Sequence, residues 1–271
     1  MLNIIPIFPL RRIFQATTCL VAMAIALSGQ DLTITYNTVT KMGMSQKDTQ
    51  VVYYSPKYSR TNTKTARQDQ LFDYNTFVTY TIDHKKKLIS KIEFDDMVLM
   101  TELIAQKVQE SKKDGQDVSK MLGISSNEAV SAIKVGSETV AGRECEKWNI
   151  TLGKLKLVAS ADPNLEIPVP PEMLEKVKGM TNGQMMQTMG ALLGDSFVKF
   201  LEEGQRIKGI QLKSEMTMPL GPMTMTTTRI ATKITTDPIP ASVFELPKGY
   251  KEEDLGKKMR EELSKETNKK K

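Results

Sequence analysis

Apolar side chains recur at every second position in a series of short runs, and this alternation constrains the chain more than any other feature. Leu32, Ile34 and Tyr36 share one face of LTITYNT, and Val52 and Tyr54 share one face of the run ending at Ser55-Pro56. Val78, Tyr80 and Ile82 line FVTYTID, and Leu88, Ile92 and Phe94 line KKLISKIEF. A period of two sends successive side chains to opposite faces of a strand. Polar turn material such as Asp83-His84-Lys85-Lys86 separates the runs, so an antiparallel meander of four successive strands is expected.

The period then changes. After Asp95-Asp96, which can cap a helix, Met97, Met100, Ile104 and Val108 fall at helical spacing until Gly115. Alternation returns through Ile133 and Val135, through Glu144 to Ile150, and through Leu155, Leu157 and Ala159. A second helical block opens at Pro170-Pro171-Glu172 and carries Met173, Leu174 and Val177. Beyond a Gly179 to Gly183 break, Met185, Met186, Met189, Leu192, Leu193, Phe197, Phe200 and Leu201 make one apolar stripe ending at Gly204. Such a stripe needs a partner surface, so Met186, Met189, Leu193 and Phe197, with Trp148 or its strand neighbours, are expected among the most buried residues. Strands resume in IKGIQLKSEMTM and MTMTTTRIATKITT. The pattern predicts one α+β domain over residues 31–250, with about eight to ten strands in a large antiparallel sheet that covers helices on one face. Residues 251–271 read as a charged, mobile tail, with Leu255, Met259 and Leu263 supporting at most a marginal helix.

Ahead of the strands, IFQATTCLVAMAIAL runs from Ile13 to Leu27 without a charge, after Arg11-Arg12 and before Ser28-Gly29. A basic region, a short apolar run and a small-residue exit make residues 1–28 a signal peptide, with cleavage expected after Ser28. The protein is therefore expected to be exported, to the periplasm or the exterior. General secretion is the expected route, and the arginine pair leaves the twin-arginine route as the alternative. Once the segment is removed Cys145 is the sole cysteine, so no intrachain disulfide can form.

Composition removes several functions. The chain holds a single His, 38 basic and 32 acidic residues, and a net charge of +6. That charge is too mild and too well mixed for nucleic acid, and the ligands for a zinc cluster or a His-based triad are missing. No cofactor is expected, and the protein is expected not to be an enzyme. His84, in a turn beside three lysines, reads as a solvated residue. Met42, Met44, Met216, Met218, Met223 and Met225 form three Met-x-Met pairs, each on one strand face. Flexible methionine lining an adaptable apolar surface is the reading adopted, and thioether ligation of Cu(I) is the alternative.

Three segments carry a resemblance. They are Gly136 to Trp148 (GSETVAGRECEKW), Ile207 to Leu212 (IKGIQL), and Phe244 to Tyr250 (FELPKGY). Together they resemble secreted bacterial domains of unknown function that are similar to the periplasmic lipoprotein carriers LolA and LolB. The resemblance implies a curved sheet, an incomplete β-barrel, with helices packed on its concave face and an apolar cavity between them. Met173, Val177, Met186, Met189, Leu193 and Phe197 are the residues expected to line it. The expected function is binding of a lipid, acyl group or other hydrophobic ligand, with membrane contact at most peripheral. The alternatives are an envelope interaction protein with a filled core, or a methionine-based copper binder.

Overall fold

A computed structural model describes residues 30–100, 103, 124, 128–180 and 186–269, the backbone alone at 177–180, 187, 188, 191, 192, 262, 263 and 265–269. The signal segment, most of the helix expected from Met97 to Val108, and the side chain of Val177 lie outside the described residues.

Twelve strands form one open sheet in the order β12-β6-β5-β4-β3-β2-β1-β11-β10-β9-β8-β7. Every pairing is antiparallel except β12 (Lys251–Asp254) with β6 (Leu88–Glu93), which is parallel. The sheet is therefore mixed, and the chain is mostly β with a few helices. Long hairpins β1 (Leu32–Met42) with β2 (Met44–Tyr54), and β10 (Ile210–Leu220) with β11 (Met223–Thr235), stand at its centre. The segment after Tyr54 contains two strands beyond the expected meander, β3 (Tyr58–Thr63) and β4 (Gln68–Asp73), ahead of β5 (Val78–Asp83).

From Tyr58 the chain repeats a ten-residue unit, six residues of strand and four of turn, three times before β6. The last residue of each turn has a left-handed backbone: Arg67 at φ 51°, Phe77 at 56° and Lys87 at 49°. Asp73 and Asp83 fix two of these turns by accepting backbone N–H bonds from Asn75 at 2.8 Å and from Lys86 at 2.9 Å.

On the other half, β7 (Val130–Val140) and β8 (Arg143–Leu152) meet in a two-residue turn, Ala141-Gly142, with both φ angles positive, as a tight hairpin demands. The motif segment GRECEKW explains itself there. Gly142 makes the turn, Arg143 pairs with the buried Asp162, and the fully buried Cys145 packs against Val140, Ile210 and Leu212. Gly209, at φ 80°, brings its Cα so close to the backbone carbonyl of Asp162, at the end of β9 (Leu155–Asp162), that any side chain would collide.

Helices α1 (Pro171–Met180), α2 (Met186–Leu193) and α3 (Asp195–Gln205) follow β9. The apolar stripe expected to run on to Gly204 breaks at Gly194, whose φ of 89° is not helical. α3 lies on β7 and β8, and its Phe197 and Phe200 join Ile150, Leu152, Leu155, Leu157, Ala159 and Met218 in the largest apolar cluster. α1 supports a separate cluster, where Met173 and Leu174 meet Tyr74 and Val169.

The opposite face of β3–β6 is covered by the chain's end. Val52, buried in the central cluster, stands opposite Thr61, so β3 turns Arg60 and Asn62 to the other face. There the Tyr58 ring stacks on Phe244, 5.4 Å between centroids, at the end of a 3₁₀ turn, Ala241–Phe244. The chain then forms β12 and α4 (Leu255–Lys269), where Arg260 pairs with the buried Asp96. Residues assigned from sequence to a charged tail thus extend the sheet by one strand. No helix among the described residues is long and apolar enough to cross a membrane.

Candidate functional site

The apolar face under α2 and α3 is the first candidate. Of the six residues expected to line a cavity, Met186, Leu193 and Phe197 are buried, and Met189 packs half-buried against the same cluster as Leu193 and Phe197. Met173 belongs to the α1 cluster with Tyr74, so the six are divided between two places. Trp148 is half-buried against the main cluster, and its strand neighbour Ile150 is fully buried. The indole Nε1 of Trp148 is buried and has no acceptor among the described residues.

This apolar face continues beyond the helices. Met218 stands opposite Met225 across β10 and β11, and Met42 opposite Met44 across β1 and β2. The β1–β11 register, with Lys41 opposite Thr226, brings Met42 level with Met225. Directly opposed residues share a face with Cβ atoms ~5 Å apart, so four methionines form one row across four strands. Met216 and Met223 flank the row at two-residue offsets on the same face. Exposure rises along it, from 3% at Met218 to 45% at Met42 and 81% at Met44, with Met223 at 51%. The pairs noted in the sequence are thus one surface, anchored in the core at one end and open at the other.

A second, polar site lies on the opposite face, and its residues gave no apolar signal in the sequence. Asp69, buried on β4, receives Nη2 of Arg60 at 2.7 Å and Nε2 of His84 at 2.9 Å. The other ring nitrogen of His84 lies 2.9 Å from the Tyr250 hydroxyl. Nη1 of Arg60 donates to the carbonyls of Val243 at 2.7 Å and Glu245 at 2.9 Å. The expectation that His84 is merely solvated is therefore corrected: it is half-buried and bonded through both nitrogens, because the turn carrying it folds back beside β4. The one sequence hint was an acid at an inward strand position, Asp69, two residues before Leu71. A cavity of about 350 Å³ opens beside this network. Asn62, Thr63, Lys64, Arg67, Asp69, His84 and Tyr250 line it.

Two other groups are shifted by their surroundings. Hydrogen bonds from Lys213 and Ser160 hold Glu138 below the ordinary glutamate range, and burial pushes the Cys145 thiol upward. Among the described residues no cluster of His, Cys, Asp or Glu could hold a metal ion, and a thioether set remains the soft-metal alternative.

No family model matches the chain. No curated protein matches it either. Solved structures similar to it include PNGF-II, 9% identical with a TM-score of 0.38 over 83% of this chain, and the chain spans 31% of that protein. An uncharacterized conserved protein from Thermus thermophilus is 5% identical, with a TM-score of 0.40 over 91% of this chain and 99% of its own. A domain named for outer membrane lipoprotein sorting, from Vibrio parahaemolyticus, is 9% identical, with a TM-score of 0.34 over 86% and 95%. A lipoprotein-sorting domain, the kind the sequence resembles, is thus among the solved structures similar to this chain. At these TM-scores the likeness carries no argument about function, and the chemistry of the chain's own surfaces must decide.

Proposed function

We propose that the protein is an exported, non-enzymatic binding protein for an apolar ligand, such as a lipid or acyl group, held between α2–α3 and the sheet. The supporting observation is the unbroken apolar surface from the core at Met218 to the exposed Met42 and Met44. In this reading the sheet curves around the helices, and Met189, Leu193 and Phe197 form the inner wall with Met186 beside them, while α1, which carries Met173 and Val177, stands outside that wall. The methionine row is the mouth. Unbranched thioether side chains can repack around a ligand at little cost, which suits a site that is closed when empty. The unpartnered indole of Trp148 favours a ligand that brings a hydrogen-bond acceptor, such as a carboxylate or ester, into that apolar setting.

Trp148 is the only tryptophan in the chain and reports on this site directly. Adding a brominated fatty acid to the mature protein is expected to quench its fluorescence saturably. Native mass spectrometry of protein purified from its own envelope is expected to show a bound apolar molecule. Absence of both the quenching and the co-purifying molecule overturns the proposal and leaves an envelope protein with a filled core.

A further inference from the structure

We propose that the polar cavity between the turns at residues 64–67 and 84–87 is a second site, for the phosphate group of a small phosphate ester. It lies on the opposite face from the methionine row and does not depend on the apolar-ligand reading.

Three observations carry it. First, the cavity has cations to spare. Lys64 and Arg67 both line it, and neither has a carboxylate partner among the described residues, whereas Arg60 and His84 already share Asp69. Lys64, Arg67, Asn62 and Tyr250 among the lining residues are the donor types from which a tetrahedral oxyanion accepts bonds. Second, the rim is fixed before any ligand arrives. The Lys64 N–H donates to the Thr49 carbonyl at 3.1 Å, and the Asp48 carboxylate takes the N–H of Thr65 at 2.9 Å. The His84 N–H donates to the Arg67 carbonyl at 3.0 Å, tying the two turns together. Third, the depression, about 350 Å³, is open to solvent, so a phosphate group can enter it with the ester's organic part directed outward.

The Asp69 carboxylate can only accept, so Nε2 of His84 donates to it, and the Nδ1 contact with the Tyr250 hydroxyl holds both rings in place on the cavity wall.

The test is calorimetric titration of the full mature chain with inorganic phosphate and with glycerol 3-phosphate, plus sedimentation with vesicles of phosphatidylcholine with and without phosphatidic acid. The double variant Lys64→Gln/Arg67→Gln is expected to weaken binding about tenfold or more, as loss of charge-assisted hydrogen bonds does. Lys85→Gln/Lys86→Gln removes the same charge outside the cavity and is expected to change it less than about twofold. Binding of the soluble esters assigns a free solute, and binding of phosphatidic acid vesicles alone assigns a lipid headgroup; both require Lys64 and Arg67. Equal losses in the two double variants, or no binding to any probe, overturns the proposal. None of these outcomes bears on quenching of Trp148.

Discussion

Arg60 donates from Nη1 to the carbonyl of Val243 at 2.7 Å, across 183 residues of sequence. The same guanidinium holds Glu245 and the buried Asp69, so one side chain fastens the C-terminal segment to the middle of the sheet. Arg60→Met is expected to destabilise the protein by about 3 kcal/mol, because it strands a buried carboxylate and two carbonyls. Adding Asp69→Leu is expected to recover much of that loss. Urea unfolding of the two variants checks both expectations, and limited proteolysis near residue 245 is expected to accelerate in both, since neither keeps the bonds to Val243 and Glu245.

The three left-handed turn residues are a reserve of stability. A side chain in this conformation costs about 1–2 kcal/mol, and the greater freedom of unfolded glycine takes back roughly half. Lys87, exposed and without an ion pair among the described residues, is the cleanest position. Lys87→Gly is expected to raise the unfolding midpoint slightly, whereas Gly209→Ala is expected to prevent stable folding, since its Cβ would meet the Asp162 backbone.

Acid sensitivity has an identifiable source in Glu138. Lys213 bonds it at 2.7 Å and Ser160 at 2.5 Å, and its pKa lies below the ordinary value. A group with a depressed folded-state pKa contributes stability that is complete above its unfolded pKa and disappears as the pH falls through the folded value. Glu138→Gln is therefore expected to lower stability at neutral pH and to flatten its further loss as the pH falls below the ordinary glutamate range, measured as denaturation midpoint against pH.

The methionine row separates two chemistries. If it offers apolar surface, changing Met42, Met44 and Met223 to Leu is expected to preserve fatty-acid quenching of Trp148, and changing them to Lys is expected to abolish it. A Cu(I) site predicts a different outcome, in which Leu and Lys variants both lose affinity for the metal against a competing chelator.

Cys145 is fully buried, and burial raises its thiol pKa. It is expected to resist thiol reagents in the folded protein and to react at the rate at which the β7–β8 region opens, so alkylation under native conditions measures local unfolding there.

The sequence made legible whatever rests on apolar periodicity. The strands around Ile34, Val52, Ile82 and Ile92, and the burial of Met186, Leu193 and Phe197, follow from it. β3 and β4 escaped because the face they turn to the C-terminal segment carries Arg60, Asn62 and Asp69, where alternation would call for apolar residues. Those side chains are satisfied by Val243, Glu245 and His84, and no local pattern announces partners so far along the chain. The same reason hid the polar cavity. Ile133 and Val135 misled in the opposite sense: they alternate like core residues yet are 54% and 51% exposed, on an edge strand whose other face carries Val130 and Ala132.

That edge has a consequence for self-association. Among the described strands the sheet ends at β7 on one side and at the four-residue, charged β12 on the other. Short charged edges are poor templates, whereas β7 offers eleven residues, interrupted by a bulge between Lys134 and Gly136. With one such edge among the described strands, copies that pair through β7 join edge to same edge, about a two-fold axis, and that edge is then used up. Pairing through β7 doubles the sheet and does not extend it further.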